Sequence, residues 1–281
     1  MRIGTEIKDQ MKITALYTAF ERLCEPEYYF KGETHNFWEI VILTDGCLGA
    51  AANGEVFSLK KGQAIIHAPM ELHRVWVEGN EPAKFIIFTF ESDHMPDCSA
   101  KVFQISNPDF PKEILNDIKN SFELYDISVL GIKDGFELPA SVSIKKLELL
   151  ILDTISTNVN ASTRHKPKQA KSFEAVAKLL EANINKPLSV PEIARMSNMS
   201  ESNLQKTVMR YTGMGVMHYF NRLKMTSAIS MIQIGKSIKE VSETFGFADP
   251  NYFSTVFKRT IGSSPSSWKQ NNADSYSDLS T

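Results

Sequence analysis

The spacing of apolar and polar positions divides the chain into two regions. From about residue 36 to 105, short apolar runs at 38–43, 63–67, 75–77 and 85–90 are separated by turn residues. Runs this short, closely punctuated, predict the strands of a sandwich or barrel. Asp45-Gly46 and Asn53-Gly54 are hairpin-type dipeptides, and Lys61-Gly62 and Glu78-Gly79-Asn80 mark further turns. The period then lengthens. Residues 108–124 place Ile114, Leu115, Ile118 and Phe122 on one helical face, and residues 138–155 do the same through Val142, Ile144, Leu147, Leu150, Ile151 and Ile155. The second stripe suits packing against the chain's own strands. Residues 156–171 are polar and read as a linker. Helical periodicity fills 172–270, and 271–281 reads as a flexible polar tail.

In the helical region a single two-helix pattern occurs twice. Ser189 and Glu192 form a capping box with Pro191 in the first turn, and Ser200 caps the helix that follows. Leu204 and Val208 turn inward on that helix, leaving Ser202, Asn203, Gln205, Lys206 and Arg210 outside. Thr212-Gly213 ends it. A long helix over 216–234 spans roughly 28 Å, against about 34 Å for one turn of B-DNA. Ser237 and Glu240 then repeat the capping box, Gly246 supplies a positive φ, and Asp249 caps a helix with Pro250 at its first position. Phe253 and Phe257 turn inward on it, leaving Asn251, Thr255 and Lys258 among the outward positions. Ser264 caps a last short helix, with Trp268 expected in the core. A helix-turn-helix presents a helix sized for the DNA major groove, where Asn and Gln read adenine and Lys reaches guanine or phosphate. Two such motifs predict one chain that reads two successive grooves.

Charge sharpens this division. The net charge of −2 conceals an acidic half and a basic half. Residues 1–164 hold 16 Lys+Arg against 24 Asp+Glu, whereas residues 165–270 hold 15 against 7. A polyanion would favour the second and be repelled by the first. Cys24, Cys47 and Cys98 show neither a disulfide framework nor zinc spacing, as expected of free thiols in a reducing compartment. No apolar run reaches the roughly 18 residues a membrane helix needs, and the N-terminus has no signal-peptide core. These features predict a cytoplasmic protein with no membrane partner.

The segment from Gly246 to Arg259, with Gly262, Pro265 and Trp268 behind it, resembles the DNA-binding domain of the AraC (AraC/XylS) family. Ile193-Ala194, Ser200, Leu204, Gly213, Tyr219-Phe220, Leu223-Lys224 and Ala228 extend the resemblance over about 172–270. It implies base reading by Ser202, Asn203, Gln205 and Lys206 of the first recognition helix, and by Pro250, Asn251 and Thr255 of the second. Three departures stand out: Val208 replaces a common phenylalanine, Thr255 a common arginine, and Trp268-Lys269 the usual Tyr-Arg pair. The second element is therefore expected to contact mainly backbone.

The same resemblance implies that residues 1–155 form a cupin-like domain that binds an effector and dimerises. His35-x3-Glu39-x6-Gly46 is similar to a portion of the first cupin motif, and Gly62, Pro69 and His73 to the second. Glu33 stands where a metal cupin has a further histidine, so neither metal nor cofactor is expected, although His35, Glu39 and His73 could supply a minimal ligand set. An effector pocket would draw on His35, Trp38, Glu39, His73, Arg74 and Trp76; alternation forbids Trp38 and Glu39 from both pointing inward.

The expected fold class is α+β: an N-terminal cupin-like β-barrel with helices, then an all-α domain of two helix-turn-helix motifs joined by a long helix. The expected function is sequence-specific DNA binding by a transcription activator under small-molecule control. Its expected partners are double-stranded DNA, a small-molecule effector and a second copy in a homodimer, with RNA polymerase admitted as a further one. The competing readings are a cupin enzyme with an accessory helical domain, and a regulator that needs no small ligand.

Overall fold

In a computed structural model of the chain, which describes residues 10–96, 101–157 and 168–269, the polypeptide divides into two units, Met1–Lys166 and Pro167–Thr281. Cys98, the middle of the expected linker and the C-terminal tail lie outside the described residues.

The first unit contains β1 (Ile13–Cys24), β2 (Trp38–Asp45), β3 (Cys47–Ala52), β4 (Glu55–Lys60), β5 (Gln63–His67), β6 (His73–Val77), β7 (Ala83–Ser92) and β8 (Val102–Gln104). Helix α1 (Phe110–Ser121), the hairpin β9 (Phe122–Tyr125) and β10 (Ser128–Ile132), and helix α2 (Glu137–Thr157) follow. Seven strands form one antiparallel sheet in the order β8-β5-β2-β7-β1-β10-β9, and β4-β3-β6 form a second.

Alternation sorts the side chains of the large sheet. Ile40, Ile42, Ile86, Phe88 and Phe90 pack with Ile114, Ile118, Leu147, Leu150 and Ile151 of the helices. Val41, Leu43, Phe85 and Ile87 face the other way and pack with Leu48, Ala50, Val75 and Val77 of the small sheet. This is the sheet-rich portion of the expected α+β class.

One turn forms as the sequence reading expects, and three features differ from it. Asn53-Gly54 is a true two-residue hairpin, with Ala52 paired to Glu55 and φ of 44° and 81°. Asp45-Gly46 is not a hairpin, because β2 pairs with β5 and β7 while β3 pairs with β4 and β6. It is a corner at which the chain changes sheets, and a Cβ on Gly46 would lie 2.4 Å from the Pro82 carbonyl oxygen. Strand β1 precedes the expected β region; two register shifts, at Ile13/Ala15 and Leu16/Thr18, break its period-2 signal. The helix expected over 108–124 ends at Ser121, and Phe122 becomes extended (φ −112°, ψ 151°) and starts β9 while keeping its place in the core.

Helix α2 divides its apolar positions. Leu147, Leu150 and Ile151 are buried, whereas Leu138, Val142 and Leu149 are 75%, 46% and 58% exposed. The helix is tied to β1 by the Ile13 N–H, which donates to Glu148 Oε1 at 2.8 Å.

The second unit is helical: α3 (Lys168–Ala182), α4 (Val190–Met196), α5 (Glu201–Thr212), α6 (Val216–Gln233), α7 (Ile238–Thr244) and α8 (Pro250–Ile261). Helix α3 begins four residues before the expected start. The expected caps form. The Ser189 N–H donates to Glu192 Oε2 at 2.8 Å, and the Ser237 N–H to Glu240 Oε2 at 2.9 Å. Ser200 Oγ accepts from the Asn203 N–H, and Asp249 Oδ1 from the Asn251 N–H. Val208 is fully buried despite its small size, while Trp268, expected in the core, is only half-buried.

Lys224 of α6 binds the motifs to each other. Its buried Nζ donates to the Lys186 carbonyl at 2.7 Å, ahead of α4, and to the Phe245 carbonyl at 2.6 Å, after α7. It lies 4.6 Å from the centre of the Phe220 ring. Burial pulls its pKa down to about 8. Gly246 follows at φ +73°, where a Cβ would meet the Asn185 carbonyl oxygen at 2.7 Å.

Gly246→Ala combines a left-handed backbone, costing about 1–2 kcal/mol, with that backbone clash. Urea unfolding should show the helical unit destabilised by at least about 2 kcal/mol. An unchanged midpoint would contradict the packing of this turn.

Candidate functional site

Between the two sheets lies a cavity of about 380 Å³, within the roughly 300–1,000 Å³ of small-molecule pockets. One side of its wall is apolar: Phe20 of β1, Tyr28, Phe30 and Phe37 from the segment between β1 and β2, Val75 of β6 and Ile87 of β7. Thr18, Arg22 and Thr89 add polar groups, with Thr18 and Thr89 hydroxyls 2.8 Å apart across the β1–β7 pairing. At the polar end Glu33, His35, Glu39 and His73 converge, their donor atoms all within 4.8 Å of one another.

Local structure fixes both imidazoles. His35 Nδ1 lies 2.9 Å from the Phe37 carbonyl oxygen, and His73 Nδ1 lies 2.9 Å from the Glu71 carbonyl oxygen. A carbonyl only accepts, so each Nδ1 carries a proton and each Nε2 faces the cluster. The His35 ring stacks on Phe37 at 3.9 Å. His73 Nε2 is 3.4 Å from Glu39 Oε1 and 3.9 Å from Glu33 Oε1, and His35 Nε2 is 3.7 Å from Glu39 Oε2. Both Nε2 atoms are buried without a hydrogen-bond partner among the described residues.

Burial alone would raise the Glu39 pKa, but the imidazoles of His35 and His73 overcome it and hold the carboxyl well below the usual range. Burial pulls the His73 pKa down, yet Glu39 outweighs it and the net shift is upward. The cluster thus favours positive charge at its centre. Behind it, the His67 Nδ1–H donates to Glu71 Oε1 at 3.0 Å and Lys101 Nζ donates to Glu71 Oε2. Burial raises the Glu71 pKa, but His67 and Lys101 bring it down to about 2. Burial, then the charge on His73, lowers that of His67 to about 4.

Three residues expected in the pocket are not in its wall. Trp38 alternates with Glu39 and packs with the helix-facing core. Arg74 and Trp76 alternate with His73 and Val75 along β6 and take its other face. Arg74 Nε donates to the Phe30 carbonyl at 3.2 Å and its guanidinium stacks 3.9 Å from the Tyr29 ring centre. Trp76 lies over Gly49, where a Cβ would sit 2.1 Å from the indole. The sequence reading does not find the contribution of β1, because its bulges hide the strand; the spacing of Thr18, Phe20 and Arg22 is the available signal.

On the helical unit, Ser202, Asn203, Gln205, Lys206 and Arg210 are exposed on α5. Asn203, Lys206 and Arg210 join Thr207, Tyr211 and Ser172 of α3 around a shallow pocket of about 260 Å³. Gln205 is turned aside: its Oε1 accepts from the Val216 N–H at 3.4 Å, at the start of α6. On α8, Asn251, Thr255 and Lys258 are exposed and Pro250 is half-buried. Thr255 Oγ1 donates back to the Asn251 carbonyl at 3.0 Å. Tyr252, 57% exposed beside them, is a further candidate contact.

These two surfaces coincide with two recognised domains. A profile described as an AraC-like ligand binding domain matches residues 16–129, and one described as a helix-turn-helix domain matches residues 193–271. The chain is 31% identical over 116 residues to the HTH-type transcriptional activator RhaR of Klebsiella pneumoniae, covering 41% of this chain and 40% of that protein. The match therefore spans less than half of the relative's length. A longer match, 26% identical over 242 residues, covers 84% of this chain and 76% of the uncharacterized HTH-type transcriptional regulator YidL of Escherichia coli K12. The crystal structure of ToxT from Vibrio cholerae aligns over 92% of this chain and 96% of its own at 14% identity and a TM-score of 0.37. No helix among the described residues is long and apolar enough to cross a membrane. With a ligand-binding domain preceding a helix-turn-helix domain, the chain belongs to the AraC family of regulators.

Proposed function

We propose that the protein is a transcription regulator that binds specific DNA through its helical unit and a small molecule in the cavity of its sheet unit. The observation that carries the reading is the polar face of α5, capped at Ser200 and exposing Asn203, Lys206 and Arg210 on the basic half of the chain. Asn203 suits an adenine edge, and Lys206 and Arg210 flank a pocket of a size to take a phosphate. Gln205 is assigned a smaller role than Asn203 because it is engaged with α6. On α8, Asn251, Thr255 and Lys258 serve mainly the backbone, since no arginine stands at Thr255. A reader of the chromosome works in the cytoplasm. The family relationship favours regulation over catalysis, and the activators among the relatives favour activation, for which RNA polymerase is the partner proposed. A reporter placed behind a bound operator reads the sign: expression falling as the protein is supplied would overturn activation.

The cavity walls favour a small ligand with a flat apolar body, held by Phe20, Tyr28 and Phe30, and a polar end directed at the His–Glu cluster. Ligand control requires unequal affinity for the DNA-competent and DNA-incompetent states. The exposed stripe of Leu138, Val142 and Leu149 on α2 supports a homodimer contact.

Three outcomes test these elements. Lys206→Ala should weaken DNA binding uniformly across sequences and lower the salt slope by about one; unchanged affinity would remove Lys206 from the interface. A thermal-unfolding screen against a metabolite panel should find a compound whose stabilising effect on Tm grows with its concentration. The cavity reading then requires Ile87→Trp, which fills the pocket, to abolish that shift, and a full shift in the variant would refute it. Sedimentation should show a dimer that Val142→Glu with Leu149→Glu converts to monomer; a dimer that survives both charges would exclude this face.

A further inference from the structure

We propose that Glu33, His35, Glu39 and His73 form a binding site for one divalent first-row transition ion at the polar end of the cavity. The inference goes beyond the organic ligand proposed above and does not depend on it.

Two unmet atoms point to the ion. His73 has 2% side-chain exposure and His35 10%. With Nδ1 protonated, each neutral ring directs an Nε2 lone pair at carboxylate oxygens, an arrangement that repels unless a metal cation or a proton lies between them. The Nδ1 protons are committed to the Phe37 and Glu71 carbonyls. That is the outer-shell pattern that fixes a ligating histidine in the tautomer with a bare Nε2. The Glu71 side chain is itself held by His67 and Lys101, so the second carbonyl is firmly placed.

Distances agree. Donors about 2.1 Å from one ion in tetrahedral array lie about 3.4 Å apart. Three His–carboxylate separations are 3.4, 3.7 and 3.9 Å, none of them a hydrogen bond, and the four donor atoms all lie within 4.8 Å of one another, a set that contracts slightly to close on one ion. Two imidazoles and two carboxylates suit Zn²⁺, Fe²⁺, Co²⁺, Ni²⁺ or Mn²⁺ over Mg²⁺ or Ca²⁺, which prefer oxygen throughout. Glu39 is buried and bridges both histidines, whereas Glu33 reaches in from a half-exposed position. Glu33 stands at the position whose lack of a histidine speaks against a metal in the sequence. The fold supplies a carboxylate there instead. The other occupant the geometry admits is a proton on His73.

The test uses the whole chain stripped with a chelator and titrated with Co²⁺, whose visible d–d bands report protein ligation. Saturation at one equivalent is expected, together with a rise in Tm in Co²⁺ or Zn²⁺ but not in Mg²⁺. Glu33→Gln changes a half-exposed side chain and should preserve the fold, as its melting curve in chelator will show. It and His35→Gln should each weaken Co²⁺ binding by about tenfold or more. Absence of saturable Co²⁺ bands, or bands whose midpoint is the same in both variants as in the parent, would overturn the proposal and leave His73 protonated.

Discussion

A charge taken out of water has to be met by opposite charge or by aligned dipoles, and each unit is organised around one such group. In the helical unit it is Lys224, buried on α6. Its ammonium group is met by two carbonyls from segments 59 positions apart in sequence, Lys186 and Phe245, and by the Phe220 ring face. Because those carbonyls belong to the loop before the first motif and the end of α7 in the second, satisfying one charge fixes the two motifs against the helix that joins them. Gly246 can follow directly only because it lacks a side chain. In the sheet unit the group is Glu39, buried on β2 between two histidines. Its requirement for positive charge sets the chemistry of the cavity end.

The cavity exists because alternation along β2, β6 and β7 is strict. Glu39, Val41 and Leu43 share one face and Trp38, Ile40 and Ile42 the other. A slip of one residue in β2 would put Trp38 into the cavity and Glu39 against the helices, so the hydrophobic pattern that secures the core also secures the site. Helix α2 covers the opposite face of the same sheet and is tied to β1 through Glu148 and Ile13. β1 supplies cavity residues on its inner face. A ligand bound among Phe20, Arg22 and Thr18 would contact the strand to which α2, with its exposed stripe, is attached.

Much of this is legible in the sequence, for physical reasons that differ between the units. Helix caps are local: Ser189 with Glu192, Ser237 with Glu240, and Asp249 before Pro250 specify their ends within four residues. So do the outward positions of α5, once Leu204 and Val208 mark the inner face. Sheet features are not local. A hairpin dipeptide predicts a turn but not which strands pair, so Asp45-Gly46 looks like Asn53-Gly54 although only the second joins paired strands. Bulges conceal β1 and with it Thr18, Phe20 and Arg22. Arg74 and Trp76 are separable from His73 by the same alternation that separates Trp38 from Glu39. Glu33 reads only as a missing histidine. Its approach to His73 depends on the bridge pairing those two residues, a long-range contact with no sequence signature.

The central claim, that one chain reads two successive DNA grooves, is tested most directly by selecting bound duplexes from a random library with the whole chain. The account predicts enrichment of two short motifs with centres about one helical turn apart, the one facing α5 more sharply defined than the one facing α8. Weak, salt-sensitive binding without enrichment, both in the whole chain and in residues 164–281 alone, would contradict it.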